Sequence, residues 1–354
     1  MKLCILGDGL TSLTLAKSLA KNGIFVDIFL NQKEFDINKS RTVGISKKNI
    51  DFFNKEVLNI DKFLWSIKQI EVYSEKLNNE KVLNFQNSNH TLFAMIKNFK
   101  LQKELLVRLK KNRFVKFKKN KFKDKLDLNK YKLIINCDSK NLITKKFFYK
   151  TLKKKYNSFA HTTIIKHKKL KNNIATQTFT QKGPLAFLPL SETETSIVYS
   201  VKGSKNIDLK KLIDKYNSKY SIINFGEIAS FELKSSNLRT YYYKNILAFG
   251  DLLHRLHPLA GQGFNMTLRD ISVLCDLIKF RLNHGLELNQ SICQDFEKKT
   301  RHRNYVFSSG IDFVYEFFNF ENKIKNTILS KSIQLIGKNK FLNKSFEKIA
   351  NNGF

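Results

Sequence analysis

Residues 250–265, Gly-Asp-Leu-Leu-His-Arg-Leu-His-Pro-Leu-Ala-Gly-Gln-Gly-Phe-Asn, constrain the fold of this chain more than any other segment. The apolar run from Asn245 to Phe249 leads in as a strand, and Met266, Ile271, Val273, Leu274, Leu277 and Ile278 follow at helical spacing. A strand end, a tight turn and a helix start are therefore packed into one stretch. Gly261 and Gly263 can adopt backbone angles closed to other residues and let a ligand approach the main chain. The free N–H groups of the helix start attract an anionic or electron-rich atom. Gly250 and Asp251 stand at the strand's carboxyl end, where the carboxylate can accept hydrogen bonds from ligand hydroxyls. A Gly-x-Gly turn before a helix also fits a plain tight turn, and the longer spacing has to separate the two readings.

The amino terminus repeats the pattern. A strand from Lys2 to Leu6 runs into Gly7-Asp8-Gly9-Leu10-Thr11-Ser12 and a helix from Leu13 to Asn22. Gly7 and Gly9 occupy the first two positions of G-x-G-x-x-G, a dinucleotide turn, and Ser12 replaces the third glycine, which serves close helix–strand packing. The following strand, Ile24 to Leu30, ends without the acidic residue that binds an adenosine ribose. A lost hydrogen bond to a charged group costs about 1.5–3 kcal/mol, so the dinucleotide is held more loosely unless Asn31 or Asp36 substitutes.

The spacing of residues 250–265, completed by Arg269-Asp270, resembles the second flavin motif of the FAD-dependent aromatic hydroxylases, and most closely that of the ubiquinone-biosynthesis hydroxylases. The resemblance implies that Asp251 holds the ribityl and pyrophosphate part of FAD. It also implies that Pro258, Gly261, Gln262, Gly263 and Asn265 lie along the isoalloxazine ring. Further segments follow in family order. Arg41-Thr42-Val43-Gly44-Ile45-Ser46 is similar to the segment whose arginine meets the flavin, and Asn98 and Gln102 match a helix opening whose glutamine lies near the pyrophosphate. A solvated helix position explains Gln102 equally well. Asn136-Cys137-Asp138-Ser139 with Lys145 stands where the family has G-A-D-G and an arginine, so Asp138 is kept while both glycines and the arginine are lost. Those losses bear on pyrophosphate binding and on engagement of the reductant, which the resemblance gives as NADH or NADPH. Residues 179–190, Phe-Thr-Gln-Lys-Gly-Pro-Leu-Ala-Phe-Leu-Pro-Leu, resemble a segment specific to the ubiquinone-type enzymes. Two of the three prolines bracket this apolar strand, which suits one wall of a pocket for an apolar aromatic substrate, or a plain core strand between turns.

A chain of 354 residues exceeds what one core usually serves. The expected architecture is α/β: a Rossmann-like FAD-binding domain of the glutathione-reductase and p-hydroxybenzoate-hydroxylase type, an interleaved β-sheet substrate domain and a helical C-terminal tail. The segments expected for the FAD domain are 1–70, 95–150 and 240–290, for the substrate sheet 71–94 and 151–239, and for the tail 291–354. The net charge of +34 is carried mostly by lysine spread along the whole chain, which reads as a solvated surface; lysine and phenylalanine interleave at 110–125, yet no nucleic-acid-binding module accompanies them, and nucleic acid is not expected as a partner. Anionic lipid or an acidic partner protein suits the charge better. The apolar residues of the tail from Phe307 to Phe346 recur among lysines, so the tail should be an amphipathic helix that caps the core or docks on a membrane or on sister enzymes.

No apolar run reaches the roughly 18 residues that span a bilayer, and a strand at Lys2 leaves no room for a leader, so the expected location is cytoplasmic, peripheral to the inner membrane face at most. Cys4, Cys137, Cys275 and Cys293 lack ligand spacing and read as reduced packing residues; His254 and His257 alone make no metal site. Taken together, the resemblance implies a monooxygenase that uses FAD and dioxygen, through a flavin hydroperoxide, to hydroxylate a polyprenylated phenolic precursor of ubiquinone. No residue is singled out as a catalytic base. Two alternatives stay open: a catalytically weakened structural member of a ubiquinone-synthesis assembly, and an FAD hydroxylase or reductase of another apolar compound.

Overall fold

Short apolar runs at residues 3–6, 133–135 and 246–249, all buried, form the centre of the first layer. In chain order the structure begins β1 (Lys2–Leu6), α1 (Leu10–Lys21), β2 (Phe25–Leu30), β3 (Thr42–Ser46), α2 (Lys47–Glu56), β4 (Trp65–Ile67), β5 (Gln69–Ser74), β6 (Glu80–Gln86), β7 (Phe93–Lys97) and α3 (Asn98–Lys110). It continues β8 (Val115–Lys119), β9 (Ile134–Asn136), α4 (Leu142–Phe147), β10 (Thr151–His167), β11 (Ile174–Thr180), β12 (Gly183–Pro189), β13 (Glu194–Lys202), α5 (Leu209–Tyr216), β14 (Ile222–Phe225) and β15 (Ala229–Leu238). It ends β16 (Tyr242–Tyr243), β17 (Ile246–Ala248), β18 (His254–Arg255), α6 (Gln262–Asn283) and α7 (Gln290–Ile324). This computed structural model describes residues 2–30, 39–77, 80–86, 91–119, 130–203, 207–257 and 261–324.

The first sheet has the order β16-β17-β9-β1-β2-β8, parallel except for β16. Strand β2 lies on one side of β1 and β9 on the other, so the chain reverses direction across the sheet at β1. In such sheets ligands bind outside the carboxyl ends of the strands at this switch point. Helix α1 buries Leu13, Ala16, Leu19 and Ala20 at three- and four-residue spacing, and with α3 and α6 it forms the largest core cluster with the sheet.

The larger sheet runs β18-β15-β10-β13-β12-β11-β5-β6, with β14 paired to β10. Its two faces follow from the period of two along each strand. Ile165, Leu185, Phe187, Ile197, Tyr199 and Val201 point to one face and are buried beneath Leu209 and Ile213 of α5. The alternate residues Ala186, Leu188 and Val198 are half-buried on the other face, with Ala186 opposite Val198. On that second face Ala160, Tyr156, Phe179 and Leu233 gather with Tyr315 of α7. A third, small antiparallel sheet, β3-β7-β4, was not anticipated as a separate element.

Candidate cofactor-binding site

The carboxyl ends of β1, β9 and β17 are laced together: Cys137 N–H donates to the Leu6 carbonyl at 2.9 Å, and Phe249 N–H to the Asn136 carbonyl at 2.9 Å. This brings the Gly7, Asp138 and Gly250 turns, far apart in sequence, to one edge. Gly7 has φ +115°, and a Cβ there would sit 3.2 Å from Ser12 Oγ and 3.5 Å from Asp138 N. Ser12, 1 % exposed, thus fits at the third glycine position because Gly7 leaves room for its hydroxyl. Gly250, at φ +65°, has its own reason: a Cβ would meet Thr11 Cγ2 at 2.7 Å. Asp251 follows on the exposed rim. Gln102 of α3 reaches the same turn, its Nε2 donating to the Asp8 carbonyl at 3.5 Å, so it is not a solvated helix residue.

The Asn136 segment departs from glycine and keeps its shape by other means. Asn136 is fully buried; its amide nitrogen donates to Thr144 Oγ1 at 2.8 Å and its oxygen accepts from Asn141 Nδ2 at 2.8 Å. Asp138 Oδ1 accepts the Lys140 N–H at 2.8 Å, and its carbonyl accepts Thr144 Oγ1–H at 2.6 Å. The Cys137 thiol between them is pushed up to about 12, first by burial and further by the Asp251 and Asp138 carboxylates. It stays a thiol.

A second line of contacts crosses from α6 to the small sheet and on to the large one. Asn265, 3 % exposed, spends its whole amide on protein: Nδ2 donates to the Gly44 carbonyl at 2.9 Å and the Gly261 carbonyl at 3.3 Å, while Oδ1 accepts from Ser46 N and Asn49 Nδ2, each at 2.9 Å. The geometry makes Asn265 a clamp between α6 and β3. Beyond β3, the Arg41 guanidinium lies 5.3 Å from the Phe231 ring centroid, Thr42 Oγ1 is 2.9 Å from Ser196 Oγ, and Ser40 Oγ is 3.3 Å from Thr162 Oγ1. Residues 40–42 therefore lie against the half-buried face that carries Ala186 and Val198.

The fit of this crevice to a dinucleotide cofactor can be judged from its backbone. Helices α1 and α6 begin at Gly9 and Gly261, and neither has a side-chain cap or an acid in its first turn, so their first N–H groups are open to an anion. Cβ atoms at Gly9 and Gly263 would meet nothing within 4 Å, and at Gly261, φ +62°, nothing nearer than Gly44 N at 3.8 Å. The protein itself does not require these glycines to lack a side chain for space. Gln262 Oε1 is buried with no hydrogen-bond partner among the described residues. Two uncapped helix starts, two open glycine positions and an orphaned acceptor suit FAD. Pro258 lies outside the described residues, as do Asn31 and Asp36.

The two histidines of the motif go separate ways. His254 Nε2 is 2.6 Å from Asp270 Oδ2, both side chains fully buried, and Asn304 Nδ2 donates to Asp270 Oδ1 at 3.0 Å. His257 packs its ring 4.9 Å from Tyr156 and 4.3 Å from Tyr315, and burial depresses it to about 3. Arg269 lies 4.4 Å from the Phe307 ring and is lowered by burial to about 10, still protonated at neutral pH.

Known proteins share this fold. The p-nitrophenol 4-monooxygenase of Pseudomonas putida superposes with a TM-score of 0.80 at 11 % identity, covering 99 % of this chain and 98 % of that one. The HpxO protein of Klebsiella pneumoniae, solved with FAD and uric acid, gives 0.74 at 12 % identity over 99 % and 97 %. The fold is that of the FAD-dependent aromatic hydroxylases. Among curated sequences, this hydroxylase-fold chain is 24 % identical over 256 residues to the mitochondrial ubiquinone biosynthesis monooxygenase of Schizosaccharomyces pombe, 58 % of this chain and 53 % of that protein. It is 26 % identical over 152 residues to 3-demethoxyubiquinol 3-hydroxylase of Escherichia coli, 40 % and 39 %. The chain thus spans about half the length, or less, of the curated relatives it matches. No family model matches the sequence.

Proposed function

We propose that the chain is an FAD-dependent monooxygenase that hydroxylates the ring of a polyprenylated phenolic precursor of ubiquinone. The observation that carries this reading is the continuity from the α6 start through Asn265 and β3 to the Ala186–Val198 face. It would set a flavin crevice beside the half-buried Ala186–Val198 face, and the ubiquinone hydroxylases among the relatives supply the substrate class. FAD supplies, when bound and reduced, the activation of dioxygen that no side chain can perform. The chain's own residues do the rest. The first-turn N–H groups of α6 and Gln262 would face the ring system, the Gly7–Gly9 turn with Gln102 would take the pyrophosphate end, and Asp251 the ribityl hydroxyls. Arg41, held over Phe231, would close the ring end, and Asp138, whose carboxylate braces its own turn, would shape the crevice floor. The half-buried Ala186 and Val198 would meet the phenol ring, and Phe179, Phe231 and Leu233 of the neighbouring cluster would help keep water out.

NADH or NADPH is the reductant of this reading, and the interleaved segments 1–70, 95–150 and 240–290 would be the flavin half. Among the described residues no helix is long and apolar enough to cross a membrane, and this reading has the substrate drawn from the inner membrane face, with other ubiquinone-synthesis proteins at hand.

The test is complementation of a ubiquinone-hydroxylase-deficient cell. The chain should restore ubiquinone, and Gly263→Val, still folded, should not. Full rescue by Asp251→Ala together with Gly263→Val would assign the chain a scaffolding role, and no rescue with a different accumulated compound would assign it another substrate.

A further inference from the structure

One surface patch is set apart from the general lysine coat by what lies under the charges. From Ser139 through Ser191 the sequence has no acidic residue. The eleven residues from α4 to the start of β10 carry Leu142, Tyr149 and Leu152 at 62 %, 63 % and 41 % exposure. The β16–β17 turn adds Tyr243, 39 % exposed, whose ring stacks on Phe147 with centroids 4.0 Å apart. Four of the thirteen exposed large apolar side chains among the described residues lie here. Lysines cover these rings: Lys146 is 5.3 Å from Phe147, Lys150 is 6.0 Å from Tyr149, and Lys244 is 5.7 Å from Tyr243. Neither they nor Lys145 form a salt bridge among the described residues.

We propose that this surface, formed by α4, residues 148–152 and the β16–β17 turn, docks on an anionic lipid bilayer. A water-facing surface gains nothing from holding aromatic rings out at 39–63 % exposure. Amphipathic tyrosines with lysine ammonium groups beside them match the headgroup layer, where rings settle at the boundary and cations meet lipid phosphates. The location differs from the C-terminal tail, where the sequence pattern pointed. The proposal extends the membrane contact of the reading above and is independent of the reaction.

The test is sedimentation of the full-length protein with phosphatidylcholine vesicles, with and without phosphatidylglycerol. Wild type should bind only the anionic vesicles, and more weakly as salt rises. Replacing Lys145, Lys146, Lys150 and Lys244 by glutamine should weaken binding on the order of a thousandfold. Replacing Lys48, Lys103, Lys110 and Lys168, equally exposed and equal in charge, should change it little. Tyr149→Ser with Tyr243→Ser should also weaken binding while leaving circular dichroism unchanged. Equal losses from the two lysine sets would mean diffuse charge attraction and overturn the proposal, as would binding that no variant alters. Because sedimentation reads no turnover, a protein inactive as a hydroxylase still answers the question.

Discussion

At the scale of single residues, the site divides into side chains that hold the protein and positions that leave room. Asn265 belongs to the first kind. Its four protein hydrogen bonds could not be read from its place in the flavin motif, since three of its partners, Gly44, Ser46 and Asn49, lie more than two hundred residues away in sequence. Asn265→Ala should cost roughly 3 kcal/mol or more, because it strands several buried groups at about 1–3 kcal/mol each; urea unfolding measures it. Gly263 belongs to the second kind. With nothing within 4 Å of its missing Cβ, Gly263→Ala should leave stability unchanged or raise it by up to about 1 kcal/mol while weakening FAD binding. Calorimetry with FAD, read beside unfolding midpoints, separates the two effects. The glycine turns were legible because φ and space are local demands.

His257 gives a prediction with a sign. Burial sets its folded pKa near 3, below the unfolded value of 6.5, so in that window the unfolded chain binds the proton more readily. The His257 contribution to stability is therefore complete above about pH 6.5 and is lost as pH falls toward 3, at about 1.4 kcal/mol per pH unit. Urea midpoints of wild type and His257→Gln across this range should diverge in slope; parallel slopes would contradict the assignment.

At the scale of elements, helix α7 is tied down by groups whose pairing the sequence did not announce. The motif spacing marked both His254 and Arg269-Asp270, but not that His254 and Asp270 meet, nor that Asn304 of α7 joins them. Arg269 on Phe307 and Ser235 Oγ donating to Asp312 Oδ2 at 3.3 Å extend the same attachment. Asp270→Ala leaves His254 and Asn304 without their partner and should cost about 1–3 kcal/mol for each buried group left unpaired. Hydrogen exchange should accelerate in α7 first, ahead of the six-stranded sheet. The Asn136 turn carries a feature the motif comparison did not show: where the family has glycines, Asn136, Asn141 and Thr144 hold the turn with side-chain bonds invisible to a position-by-position reading.

At the scale of the whole molecule, the α/β architecture was legible because strand-turn-helix patterning at both ends of the chain demands a parallel sheet. The half-buried face was not, because knowing that Ala186 stands opposite Val198 requires the register of two strands, and α5 had to be seen covering the opposite side. Ala186→Phe should crowd this half-buried face, lowering turnover of a phenolic lipid substrate while leaving bound FAD at its wild-type level, as steady-state kinetics and flavin content would show. The central claim is that this fold, with its altered Asn136 turn and no acidic residue at the end of β2, holds FAD. The direct measurement is the visible absorption spectrum of freshly purified protein, with the released flavin identified by chromatography. A yellow protein that releases FAD, and a Gly263→Val variant that is folded and pale, is the predicted result; a wild-type protein that is colourless and stays so after FAD is added contradicts it.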